Sequence, residues 1–141
     1  MKSDKTIVRA TCETRPHFHD VDAMKVVWHG NYPKFLELGR VAVLDHIDYG
    51  YDAMEASGYL WPIVDMQIRY LQPIRLLQPI LIETAIIEWQ NRLKLAFEIR
   101  DKESGKRLTR AHTVQVAVEL ASAQMQWESP PILYEKLKRF L

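Results

Sequence analysis

An α+β domain, one long helix followed by a run of antiparallel strands, is the architecture this sequence predicts. Two patterns point to it: apolar residues recur at helical spacing from Asn31 to Ile47, and the period falls to two between Leu93 and Val118. A third observation sets the organisation. No internal repeat, low-complexity tract or Pro/Gly/Ser linker divides the chain, so residues 1–141 read as one domain.

Residues 6–19 have strand-like content in Thr6, Ile7, Val8, Thr11, Thr14 and Phe18, interrupted at Pro16, and predict a first, irregular strand. Beyond it Tyr32, Phe35, Leu36, Ala42, Val43 and Ile47 share a helical stripe, with Pro33 tolerated in the first turn. Leu38, Val41 and Leu44 lie on other faces, so the apolar surface is too broad for a helix resting on one side of a core; it is read as wrapped or sandwiched. Gly39 in its middle costs up to roughly 1 kcal/mol of helix propensity, which predicts close approach of another backbone. A short second helix is expected from Tyr51 to Ala56, closed by Gly58.

Four strands follow. Two, at about 63–71 and 79–89, are set apart by Pro73 and Pro79. In the third, Leu93, Leu95, Phe97 and Ile99 alternate with Lys94, Ala96, Glu98 and Arg100; in the fourth, Leu108, Arg110, His112, Val114, Val116 and Val118 share one face. Asp101 to Lys106 between them is polar, short and Gly-containing, as a hairpin loop requires. These strands are expected to form an antiparallel sheet with the helix on one face.

The 141 residues are enough to bury on the order of two-thirds of the unfolded surface. With 48% hydrophobic and 26% charged residues the composition is globular rather than disordered. A net charge of +1 argues against nucleic acid, and the basic run Lys136-Leu137-Lys138-Arg139 reads as the solvated face of a final helix. Residues 1–6 hold no apolar segment of signal-peptide length and no stretch reaches a membrane span, so a cytoplasmic protein without a transmembrane segment is expected. Cys12 has no adjacent His and no second Cys, and reads as structural.

Candidate chemistry concentrates in the segment from His19 to Tyr32. Asp20 and Asp22 precede the apolar pair Val26-Val27, then Trp28, His29 and Gly30 just before the helix. A carboxylate in a partly apolar setting serves as base or nucleophile, and free N–H groups at a helix start point at any carbonyl oxygen placed there. The competing reading is that both acids are loop and capping residues and that His29 is a structural imidazole.

The run Asp20-Val21-Asp22-Ala23, then Val26-Val27-Trp28-His29-Gly30-Asn31-Tyr32, then Phe35-Leu36-Glu37 and Arg40, resembles the signature of hotdog-fold acyl-CoA thioesterases. The similarity is to the 4-hydroxybenzoyl-CoA thioesterase type, including the bacterial branch associated with the Tol-Pal system, and continues through Arg69-Tyr70-Leu71-Gln72-Pro73. It implies a hotdog fold: a long central helix wrapped by a curved antiparallel sheet of about five strands. It assigns the catalytic carboxylate to Asp22, and places His29 at the helix end whose backbone N–H polarises the thioester carbonyl, two residues before a start at Asn31. Homodimers or homotetramers with a shared site are implied, bringing strand residues, Asp65 and Gln67 being examples, of a neighbouring chain beside Asp22. No cofactor is expected beyond the coenzyme A or phosphopantetheine of the substrate. Trp28, Gly30, Asn31 and Trp61 are the candidate substrate contacts, and Arg92 a candidate for the phosphates of coenzyme A. Where the Tol-Pal branch has a Tyr four residues before the catalytic acid, this chain has Phe18, so any hydroxyl role there is absent.

Glu37 as a second carboxylate competes with an i,i+3 pair to Arg40, which is preferred. His17 and His19 with Asp20 or Asp22 make only a weak metal pattern, and no metal is expected. No Gly-x-Ser-x-Gly or phosphate-cradling Gly-rich loop is present. A hotdog dehydratase acting on a β-hydroxyacyl thioester is the second enzyme reading; a non-catalytic acyl-binding module walled by Trp28, Tyr59, Trp61 and Met66 is the third. The segment Gly58 to Val64 is similar to small thioesterases accompanying fatty-acid or aryl-polyene synthesis, which makes an acyl carrier protein as suitable a substrate carrier as coenzyme A.

Overall fold

The computed structural model describes residues 5–141. Strands β1 (Val8–Thr14), β3 (Ile63–Tyr70), β4 (Ile80–Glu88), β5 (Leu93–Asp101) and β6 (Arg107–Gln115) form one antiparallel sheet in the order β1-β4-β5-β6-β3. Helix α1 (Tyr32–His46) lies across one face and packs on β1, β4 and β5. Helix α2 (Tyr51–Ser57) follows it, closed by Gly58 in the left-handed region at φ 90°. A small sheet of β2 (Tyr59–Leu60), β7 (Val118–Glu119) and β8 (Gln124–Met125) and a last helix α3 (Pro131–Leu137) complete the chain. Among the described residues no helix is long and apolar enough to cross a membrane.

Single-sided burial explains the alternation. Ile80, Ile82 and Ile86 of β4 and Leu93, Leu95, Phe97 and Ile99 of β5 are buried against Phe35, Leu36, Val43 and Leu44 of α1. Each such side chain stabilises the fold by roughly 1.5–3 kcal/mol relative to exposure. The expected first strand is shorter than residues 6–19, because β1 ends at Thr14 ahead of Pro16. Leu133 and Leu137 anchor α3 in the core and leave Lys138 and Arg139 outside, in keeping with the solvated basic run.

Gly39 is needed for a different contact from the one its position suggests. A Cβ there would overlap Thr84 Oγ1 and come within 2.9 Å of Ile82 Cγ2, so the close approach is to side chains of β4 rather than to backbone. Gly39→Ala is therefore expected to lower unfolding free energy by up to about 2 kcal/mol despite its better helix propensity, because an overpacking cost of about 1–3 kcal/mol is set against a gain of about 1 kcal/mol. Urea titration measures this.

The fourth strand faces the other way from its apolar pattern. Leu93, Leu95, Phe97 and Ile99 stand opposite Gln115, Thr113, Ala111 and Thr109, so those β6 residues face the helix while Arg110 and His112 point to the far side. Cross-strand register overrides the Leu108 to Val118 pattern. A register irregularity between Ile99 and Arg100 returns Leu108 to the core, and Val118 leaves the strand to pair with Leu60. The cost is visible in Thr84, Thr109 and Thr113, whose buried hydroxyls lack a hydrogen-bond partner among the described residues.

Candidate active site

Two acids of the same type, two residues apart, end in opposite environments. Asp20 closes a 3-10 turn (Phe18–Asp20) and is 4% exposed. Its Oδ1 accepts from Lys34 Nζ at 2.5 Å and its Oδ2 from the His17 N–H at 2.9 Å, while its carbonyl accepts from the Trp28 N–H and from Asn31 Nδ2. Burial pushes the carboxyl pKa up, but the hydrogen bonds from Lys34 and His17 outweigh it and hold the group below the usual aspartate range. Asp20 is thus an ionised brace between the loop and α1.

Asp22 sits at the tip of the same loop and is exposed. Val21 bridges Val27, the Asp22 N–H donates to the Val26 carbonyl, and the Lys25 N–H donates to the Asp22 carbonyl, with Lys25 at φ 64°. Asp22 Oδ1 accepts from the Met24 N–H at 2.8 Å; Oδ2 has no partner among the described residues. Asp20 and Trp28 form the base of this small hairpin, so Asp22 stands about 7 Å beyond them along the strand direction. Phe18 and Met24 beside it are 83% and 81% exposed.

The helix start lies at the other end of the hairpin. His29–Asn31 form a 3-10 turn that runs directly into α1 at Tyr32, which accounts for both the start at Asn31 suggested by spacing and the start at His29 implied by resemblance. The N–H groups of His29 and Gly30 find no acceptor among the described residues. Tyr70, at the end of β3, donates from its hydroxyl to the His29 carbonyl at 3.1 Å and packs edge-on against Tyr32. The Trp28 ring lies over Gly30, where a Cβ would come within 2.8 Å of Trp28 Cε3. Glycine at position 30 lets the indole cover the turn. Loss of the Tyr70 hydroxyl in Tyr70→Phe is expected to cost about 0.5–1.5 kcal/mol in a urea titration.

Asp22, Trp28, His29, Gly30 and Asn31 therefore belong to one hairpin and helix start, with the Asn31 amide engaged on the Asp20 carbonyl. Trp61 and Arg92 lie elsewhere. Trp61 is buried, donates from Nε1 to the Tyr49 hydroxyl at 3.1 Å, and lines a hollow of about 430 Å³ with Arg40, Tyr51, Met54 and Ile63. Arg92 is exposed between β4 and β5 and pairs with Glu88 at 2.9 Å. Asp65 and Gln67 are exposed on β3, the edge strand. Glu37 pairs with Arg40 at 2.8 Å and also accepts from the Tyr51 hydroxyl. Burial pushes the Cys12 thiol pKa up, the opposite of an activated nucleophile. Among the described residues no group of three or more His, Cys, Asp or Glu side chains is arranged to hold a metal.

Two contributors escaped sequence reasoning. Lys34 is the counter-ion of Asp20, and its place in the first turn of the helix behind an acidic loop was the available signal. Tyr70 had no local signal, because its contact with His29 spans 41 residues.

The family model described as the Thioesterase-like superfamily matches residues 16–138. The protein sll0410 of Synechocystis sp., provisionally named an esterase, is 32% identical over 120 residues, which cover 84% of this chain and 72% of that protein. The acyl-CoA thioester hydrolase YbgC of Escherichia coli O157:H7 is 32% identical over 72 residues, and this match spans only about half of each chain, 51% here and 54% there. Among solved structures, a DHNA-CoA thioesterase from Staphylococcus aureus superposes with a TM-score of 0.82 at 21% identity, covering 93% of this chain and 89% of that one. A 1,4-dihydroxy-2-naphthoyl-CoA thioesterase from Synechocystis does so with a TM-score of 0.78 at 19% identity, covering 93% and 96%. With a long helix laid on a five-stranded antiparallel sheet and a family match across most of its length, the chain belongs to the Thioesterase-like superfamily of hotdog-fold enzymes.

Proposed function

We propose that this enzyme hydrolyses the thioester of an acyl-CoA or acyl-carrier-protein substrate, with Asp22 as nucleophile or general base and the helix start at His29 polarising the carbonyl. The supporting observation is the division of labour between the two acids: Asp20 is buried and fully engaged, whereas Asp22 is exposed with one oxygen unbonded, on the hairpin that leads to two free N–H groups. A thioester carbonyl oxygen accepting from those N–H groups gains negative charge at the point where they are directed. In the nucleophilic course Asp22 attacks the carbonyl carbon, the C–S bond breaks, the thiolate takes up a proton, and water cleaves the resulting mixed anhydride. In the general-base course Asp22 takes a proton from water as the water attacks, and that proton passes to the leaving thiolate.

Trp28 covers the helix start and offers an apolar wall to the acyl group; Trp61 and Arg92, the candidate partner of the phosphates, make no contact with that turn here and enter the reading through a second copy or a long substrate. A homo-oligomer is part of this reading. The edge strand β3 exposes Val64, Asp65, Gln67 and Arg69, and pairing with its own copy covers an otherwise open edge. A cytoplasmic setting suits either thioester carrier. The test is an assay of purified protein against a panel of acyl-CoA and acyl-carrier-protein thioesters. Release of free thiol supports hydrolysis; a new enoyl absorbance without thiol indicates the dehydratase, and binding without turnover the acyl-binding module.

A further inference from the structure

The face of the sheet turned away from α1 carries a hollow of about 540 Å³ lined by Arg9, Arg69, Lys94, Arg100, Arg107 and Arg110. Its shape follows from the register. Ala85 on β4 and Ala96 on β5 stand side by side, continuing into His112 and Gln67, so two small side chains set a floor. One row along, Glu83, Glu98, Arg110 and Arg69 stand in that order across β4, β5, β6 and β3. The acids are already engaged: Glu83 with Arg9 at 3.2 Å, and Glu98 with both Arg100 and Arg107. Arg69, Arg110 and Lys94 form no salt bridge among the described residues, although Glu98 stands opposite Arg110 and Glu88 opposite Lys94 across the sheet.

That remainder is costly. Arg69 and Arg110 are direct cross-strand neighbours, with Cα atoms about 5 Å apart, a like-charge arrangement that destabilises a sheet. A chain whose net charge is only +1 concentrates six cations and two acids around one concave surface. Burial, followed by Lys94 and Arg92, also holds the His112 pKa below its ordinary value against the pull of Asp65.

We propose that this open sheet face binds a small polyanion carrying a diphosphate group, seated over the alanine floor between Arg69, Arg110 and Lys94. Guanidinium forks match phosphate oxygens bidentately, and two adjacent arginines suit two linked phosphates better than one. The site is separate from the Asp22 hairpin, since α1 and its start lie on the other face of the sheet, and it stands whether or not the thioester reading holds.

Titration calorimetry of the full chain at low ionic strength, with pyrophosphate, ADP, coenzyme A and inorganic phosphate as probes, tests this. Saturable pyrophosphate binding is expected, weakened by salt. Affinity should fall about tenfold or more in Arg69→Gln/Arg110→Gln but persist in Arg69→Lys/Arg110→Lys. Pyrophosphate should raise the Tm of the wild type and not of the glutamine variant, whose own Tm without ligand should equal or exceed the wild-type value. If that variant fails to fold, Lys94→Gln takes its place with a smaller expected loss. Coenzyme A competing with pyrophosphate identifies a substrate's diphosphate as the natural ligand; simultaneous binding identifies a free anion. Absence of saturable binding, or equal affinity in wild type and the glutamine variant, would each overturn the proposal, as would loss in this variant of a self-association beyond the β3 edge pairing, which would show the face to be a contact between copies.

Discussion

Asp22→Asn is expected to lower kcat by about 10²–10⁴-fold with little change in Tm, the range lost when a positioned base is removed. The fold does not depend on this carboxylate. Among the described residues its side chain accepts one hydrogen bond, from the Met24 N–H at Oδ1, and an asparagine carbonyl oxygen accepts the same bond. The hairpin is held independently by the Val21–Val27 bridge, by the Asp22 N–H on the Val26 carbonyl and by the Val27 N–H on the Ile74 carbonyl. An exposed, isosteric change here is worth about 0.5 kcal/mol of stability at most. His29→Ala should be milder than Asp22→Asn, because the backbone N–H at the helix start survives it. Steady-state kinetics on one thioester reads both, and a loss in His29→Ala as deep as that of Asp22→Asn would show that the imidazole itself takes part.

Asp20→Asn is expected to act on stability instead. Both oxygens of Asp20 face donors, Lys34 Nζ and the His17 N–H, so an amide presents its own N–H₂ to one of them. A buried donor left facing a donor costs about 1–3 kcal/mol. The lost ion pair adds little, since Lys34 is half exposed and screened by water. The pH dependence has a definite sign. Because the folded-state pKa of Asp20 is lowered, its contribution is fully present above the ordinary aspartate range and is lost as pH falls through the folded value. Denaturation followed against pH should therefore show wild type and Asp20→Asn converging in acid and separated near neutrality. A constant separation would mean that the carboxylate's charge plays no part in the brace.

The helix and the alternating strands are legible in the sequence because burial on one side imposes a period on the residues. Leu93 to Ile99 and the stripe from Tyr32 to Ile47 each meet a single core, and each reads correctly. β6 misleads for the same reason in reverse. Thr109 and Thr113 are buried, so the strand's alternating set through Arg110, His112 and Val114 marks the wrong face. What depends on non-local pairing is not periodic and so is not readable: the Tyr70 contact with His29, the meeting of Arg69 with Arg110, and the side-chain partners of Gly39. The candidate site is intermediate. Its hairpin and helix start are contiguous in sequence, which is why Asp22, Trp28, His29, Gly30 and Asn31 fall together. Residue type alone gives no reason to prefer Asp22 to Asp20; resemblance makes that choice, and what the sequence does not show is that one carboxylate is buried and bonded at both oxygens while the other is exposed.

The most direct measurement is kcat and Tm for Asp20→Asn and Asp22→Asn side by side, on the same hydrolysed thioester at saturating concentration. The expected result separates the two acids on two axes, with kcat lost and Tm kept in Asp22→Asn, and Tm lowered in Asp20→Asn with substantial turnover where the protein remains folded. Near-normal turnover by a folded Asp22→Asn enzyme would contradict the assignment of the chemistry to Asp22.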